Sequence, residues 1–175
     1  MANVDRPHGF VPYSALLRCR PYASDGAEIQ YINDVMKAEA DGNVNPADTG
    51  DIVILGSNLA YHAASAATAT SADPVLISDH PAQLYEAQED GASTTSSQAE
   101  LFSAFNHVDT TGSTVTFISA HEIDISDGGQ STGGFVALGF VPRMDNDGTA
   151  ANADWVVQLN AGEGLLTVAS GDRKS

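Results

Sequence analysis

The chain has 175 residues, with 23 acidic side chains against 7 basic ones and a formal net charge of −16. A surface of that sign repels polyanions, which excludes nucleic-acid binding through phosphates and docking on anionic membranes. The length suits one domain of ordinary size, and Cys19 is the single cysteine, so no internal disulfide can form.

Self-repulsion keeps such a chain soluble but opposes compaction, and salt relieves it. The excess of Asp over Lys is therefore compatible with a saline or halophilic setting. Residues 1–20 lack a basic stretch followed by an apolar one, and no run approaches the ~18 apolar residues of a membrane span. Synthesis in the cytoplasm, without secretion by a standard route, is expected.

Taken from the start, residues 1–27 carry Pro7, Pro12 and Pro21 and then a Ser-Asp-Gly turn. Proline removes a backbone donor and fixes φ, so this stretch is expected to be an extended, weakly self-paired N-terminal arm. A single β domain is expected over 28–170, followed by a tail at 171–175.

Within that domain, EIQYI (28–32) alternates polar and apolar residues. DIVIL (51–55) is continuous and β-branched, as in a strand buried on both faces. An Ala-rich stretch (59–72) fits a helix or a loop equally well. PVLIS (74–78), LYEAQ (84–88), STVTFIS (113–119), GFVALGFV (134–141), DWVVQLN (154–160) and LLTVA (165–169) complete the strand-like runs. GFVALGFV, apolar on both faces, is expected to be a central strand or one covered by a partner chain. SSQAELFSAF (96–105) offers Ser97 and Glu100 at capping-box spacing and is expected to be one short helix. Short strands bounded by Gly, Asp, Asn and Pro predict an all-β, mainly β fold: a jelly-roll-like sandwich, or a small β-barrel or β-tulip.

Chemistry-bearing patterns are sparse. The five histidines lack zinc-site spacing, and HEIDI at His121 has no second His four residues on. His121 is expected at a solvent-facing strand end. Asp145 and Asp147 in MDNDGTAANAD, with Asp124 and Asp127 in DISDGG, could wrap a hard cation weakly, but turn chemistry explains them first. Cys19 lies between two arginines, yet a lone thiol in an arm is expected to be inert. Glu86, Glu89 and Asp90 are expected on a solvated edge. No serine-nucleophile elbow and no phosphate-cradling loop is present. The residues therefore argue against an enzyme and imply no cofactor and no resident metal.

Five stretches, in order, carry a resemblance: MANVDRPHGF (1–10), IQYIND (29–34), GDIVIL (50–55), PVLISDHPAQLYEAQEDG (74–91) and VPRMDNDGTAANADWVVQLNAGE (141–163). Together they resemble the decoration, or cement, proteins of tailed-phage heads. The family's Val- and Gly-rich strand after GDIVIL is replaced here by the Ala-rich stretch. The resemblance implies a structural virion protein on the outer capsid surface, clamping joints between subunits. Its partners would be the major capsid protein and further copies of itself, as a trimer or dimer. The arm would be the clamp, with Phe10 and Tyr13 as apolar anchors, Arg6 as a partner for a capsid carboxylate, and Pro7 and Pro12 holding it extended.

Two other readings stand beside this one. The first is a carbohydrate- or Ca²⁺-binding sandwich for virion attachment, with Trp155 stacking on sugar beside Asp124, Asp127, Asp145 and Asp147. The second is a hydrolase resting on carboxylate pairs alone.

Overall fold

Short runs of alternating polarity need a partner surface on one face, and here they find it in each other. The computed structural model describes residues 3–24, 26–64, 74–91, 97–125 and 132–160. The elements in chain order are β1 (Val11–Tyr13), β2 (Cys19–Tyr22), β3 (Val35–Ala38), β4 (Val44–Pro46), β5 (Gly56–Asn58), β6 (Val75–Ser78) and β7 (Leu84–Gln88). A 3-10 turn (Gln98–Glu100), β8 (Ala104–Val108), β9 (Glu122–Asp124), β10 (Phe135–Phe140) and β11 (Asp154–Leu159) follow. One sheet has six strands in the order β1-β7-β11-β10-β8-β9, and the other has five in the order β2-β6-β5-β3-β4. All the ladders are antiparallel. The fold is all-β, and its two open sheets form a sandwich rather than a closed barrel.

The main core lies on the inner face of the six-stranded sheet. Tyr85, Ala87, Phe105, Ile123, Phe135, Ala137, Trp155 and Val157 point into it, and Val35 and Ile54 meet them from the other side. A smaller cluster of Met36, Val44, Leu55, Val75 and Ile77, with Tyr22 packed on it, belongs to the five-stranded sheet. Fully burying side chains of this size stabilises by about 1.5–3 kcal/mol each.

β7 and β11 match LYEAQ and DWVVQLN closely, and β6 matches PVLIS. β10 lies between β11 and β8, as a strand apolar on both faces should. A bulge between Ala137 and Gly139 breaks its alternation, and Phe140 packs on Trp155 at 4.1 Å.

Other runs take different forms. Residues 28–32 make only isolated bridges, Gln30 to His62 and Ile32 to Ile118. Residues 51–55 form no ladder, and Val53 is exposed; only the end of the run is buried, with Ile54 entering the main core and Leu55 the smaller one. Pairing begins one residue later at Gly56, where a Cβ would lie 1.9 Å from the Ser78 carbonyl oxygen. STVTFIS is a turn. The Ser113 hydroxyl accepts from the Val115 and Thr116 amides, which favours turning over pairing. The capping box at Ser97 and Glu100 forms, but it starts only one 3-10 turn, because Ala104–Val108 is drawn into β8. Residues 165–169 and 171–175 lie outside the described residues, as does most of the Ala-rich stretch.

The largest correction concerns the N-terminal arm. Residues 11–13 pair with β7 and residues 19–22 with β6, so the stretch supplies one strand to each sheet. Gly9 makes this possible. Its φ of +70° suits glycine, and a Cβ there would lie 2.4 Å from the Asn33 carbonyl oxygen. The turn drives Phe10 into the core, where it is fully buried and stacks on Phe135 with ring centroids 4.3 Å apart. The Phe10 amide donates to Asn33 O at 2.9 Å, and the Ser57 hydroxyl donates to Phe10 O at 2.6 Å.

Candidate functional site

Three polar constellations stand out among the described residues. The first fastens the N-terminal stretch across the outer face of the six-stranded sheet. The Asn3 amide group donates to Asp147 O at 2.9 Å and accepts from the Asp147 amide at 2.7 Å. Gln88 donates to Val4 O at 3.0 Å and accepts from the Arg6 amide at 2.7 Å. Beside them, His8, Glu86 and Asp154 bring ligand-capable atoms within 4.8 Å of one another. Arg143 donates to both carboxylates, so a guanidinium already supplies the positive charge a metal would bring. Burial still pushes the Asp154 carboxyl above the usual range, against His8 and Arg143.

The second constellation centres on Asp79, whose side chain is fully buried. It accepts from Arg18 Nε at 2.7 Å, Arg20 Nε at 2.5 Å and the Tyr22 hydroxyl at 2.6 Å. Burial pushes its pKa up, but these donors outweigh it and hold the carboxyl below the usual range. Asp79 therefore locks β2 onto the end of β6.

The third is a cleft of about 400 Å³ lined by Glu28, Tyr31, Asp34, Asp109, Thr110 and His121, among others. Its residues come from distant parts of the chain. Asp34 closes the turn that ends the IQYIND segment and accepts from the Tyr31 amide at 2.6 Å. Asp109 follows β8, and His121 precedes β9. His121 Nδ1 accepts from the Val35 amide at 3.3 Å, which places the ring proton on Nε2. Nε2 lies 3.0 Å from Asp109 Oδ1 and 3.6 Å from Asp34 Oδ1. Burial raises the Asp34 pKa, while the hydrogen bond from His121 lowers that of Asp109. Behind His121 stacks the buried His107, whose Nε2 bonds Ala47 O at 3.1 Å.

The residues singled out in the sequence fall in separate places. Phe10 is a core residue and is not available as a surface anchor. Arg6 is largely exposed and lies 3.5 Å from Asp145 of the same chain. Pro7 is half-buried, and Pro12 and Tyr13 are half-buried in β1. Trp155, suggested for sugar stacking, is fully buried, with its indole N–H donating to Glu89 at 3.4 Å. Asp147 caps the Thr149 amide and hydroxyl, and Asp145 faces Arg6 and Arg143, so both serve the loop itself. Asp124 ends β9, and Asp127 lies outside the described residues. His121 is buried between Asp109 and His107 rather than solvent-facing, and Glu89 is buried beside Trp155 and Ile123. Cys19 is exposed in β2.

Asp34, Asp109 and His121 have no shared spacing that would mark the cleft in the sequence; only the topology gathers them. No protein-family model, no curated protein and no solved structure matches the chain.

Proposed function

We propose that this protein is a structural component of a virus particle. In this reading it decorates the outer surface of a tailed-virus capsid by clamping joints between major capsid protein subunits, as a homo-oligomer with no catalytic role. The carrying observation is the placement of the stretch that bears the family-like opening. β1 and β2 form an outer edge of each sheet, and the loop between them exposes Leu16 and Leu17 at 46% and 52%. An edge strand offers unpaired backbone groups to a neighbouring chain, and exposed leucines beside it add apolar contact. The proposed contact surface is therefore Arg6, Pro7, Pro12 and Tyr13 with Leu16 and Leu17, and Phe10 serves only to hold that surface in place. Several copies, each binding weakly, gain avidity through effective concentration. The net charge of −16 would discourage association between particles.

Quantitative mass spectrometry of purified virions tests the reading. A ratio to the major capsid protein near stoichiometric is expected, and absence from the particle would overturn it. Leu16→Asp with Leu17→Asp should cut occupancy at least tenfold while leaving the melting temperature unchanged. Deleting residues 1–27 is not an equivalent test, because it removes two strands and Phe10.

A further inference from the structure

His8 sits where the N-terminal stretch is fastened to the six-stranded sheet, and one of its ring nitrogens lacks a partner. Nδ1 lies 3.3 Å from Arg6 O. A carbonyl oxygen only accepts, so Nδ1 carries the proton of the neutral ring. Nε2 then presents a lone pair. It is buried without a hydrogen-bond partner, and Glu86 Oε1 lies 3.8 Å away. Asp154 offers a second carboxylate within 4.8 Å. A lone pair facing two acceptors gains nothing from either, and native proteins rarely leave a buried polar atom in that state. A second proton on the ring turns Nε2 into a donor.

The charges around the ring favour that proton. Glu86 faces it from β7, Asp154 from β11, and Arg143 and Asp145 from the loop between β10 and β11. Arg143 donates to both Glu86 and Asp154, so one guanidinium faces two carboxylates. On the stretch itself, Arg6 lies 3.5 Å from Asp145 and is matched there. Glu86, Asp154 and Arg143 therefore leave one negative charge uncompensated, which a charged imidazole cancels. Burial raises the Asp154 carboxyl, and His8 leads the groups that oppose the rise. Glu86 and Asp154 are only 17% and 6% exposed, so salt screens their attraction less than that of a surface pair. A pocket of about 350 Å³ lined by Arg6, His8, Glu86 and Arg143 brings solvent to the ring. A proton needs no wider access than this.

We propose that His8 is a proton-operated latch on the N-terminal stretch. In mild acid Nε2 takes up a proton, donates to Glu86 with Asp154 beside it, and pins residues 3–8 against the six-stranded sheet. When the proton leaves, the stretch is held by the Asn3 and Gln88 hydrogen bonds and the turn at Gly9. This inference does not depend on the capsid reading, although Arg6 and Pro7 of that contact surface lie in the latched stretch.

Full-length ¹⁵N-labelled protein at constant ionic strength tests it at about pH 7.5 and about pH 5.5, on either side of the range where imidazoles ordinarily change charge. Long-range ¹H–¹⁵N spectra of the His8 ring should show a proton on Nδ1 alone at the higher pH and on both nitrogens at the lower one. The Arg6 amide, which donates to Gln88 at 2.7 Å, reports the latch. Corrected for the intrinsic effect of pH, its exchange should slow in acid by about fivefold relative to the Phe10 amide, the upper range for a partly exposed ion pair. His8→Gln should abolish that gain, with circular dichroism checking the fold. Glu86→Gln, which keeps Arg143 and Asp154 in place, should reduce it. A neutral ring protonated on Nε2 instead of Nδ1, or an Arg6 amide indifferent to pH, would overturn the proposal. So would an undiminished gain in His8→Gln, which would assign the acid response to the Asp154 carboxyl.

Discussion

His107 is packed on both sides, with the His121 ring 5.6 Å away and Phe135 meeting it edge-on at 6.5 Å. Burial lowers its pKa to about 4. An unfolded chain takes up that proton below about 6.5. Between pH 6.5 and 4 the unfolded state therefore binds more protons, and stability falls as pH falls. The slope approaches 1.4 kcal/mol per pH unit, for a total of about 3 kcal/mol. Glu122 works the other way. Burial first, then Asp5 and Asp90, push it up to about 7, so its contribution is present at low pH and lost as pH rises through that value. A single pH curve mixes the two, and a difference between variants separates them. His107→Gln keeps a donor for Ala47 O but cannot titrate. The stability of the native protein relative to this variant should drop by about 2 kcal/mol between pH 7 and pH 5, measured by urea unfolding. An equal gap at both pH values would show that His107 is not held neutral by burial.

At the scale of elements, β2 is the strand with the least apolar support. Cys19, Arg20 and Pro21 are exposed, and only Tyr22 packs on the smaller core. Its attachment rests on the β6 ladder and on Asp79. Asp79→Asn keeps the volume and removes the charge that Arg18, Arg20 and Tyr22 address. The arginine side chains, 37% and 46% exposed, fall back on water. The loss is then about 1.5–3 kcal/mol, the range for hydrogen bonds to a charged group. Amide exchange in Cys19–Tyr22 should speed up well before that in β11, and unchanged protection there would place the anchor elsewhere. Neither β2 nor its anchor was legible beforehand, because prolines and arginines hide a strand and Asp79 looks like a turn residue. The strands that could be read, β6, β7, β10 and β11, are those where apolar pattern and burial coincide. STVTFIS had the right composition, but Ser113 offered its amides a nearer acceptor. Nothing local reveals that Gly9 turns Phe10 inward, so the sequence alone suggests an exposed anchor. The acidic cleft needed three-dimensional closure to appear at all.

Across the whole molecule, 7 basic residues face 23 acidic ones, so one-to-one pairing leaves most carboxylates unmatched. Arg18, Arg20, Arg143 and Lys37 are each committed to a local carboxylate, and Arg6 lies near Asp145. Salt therefore acts in two opposing directions. It weakens these pairs, and it weakens the repulsion among the remaining acids. The pairs at Asp79 and Asp154 are close, and their carboxylates are buried although the arginines reach solvent, so salt weakens them less than it weakens fully exposed charges. The repulsion runs between exposed groups over longer distances, where a Debye length falling from ~10 Å at 0.1 M to ~3 Å at 1 M removes most of it. Relief of repulsion should win. The melting temperature is expected to rise by several degrees between 0.1 and 1 M KCl, with most of the gain below 0.5 M, where screening changes fastest. Sulfate would add surface exclusion to screening, so chloride is the cleaner probe. A melting temperature that falls with KCl would mean that the local ion pairs, rather than the net charge, dominate this protein's electrostatics.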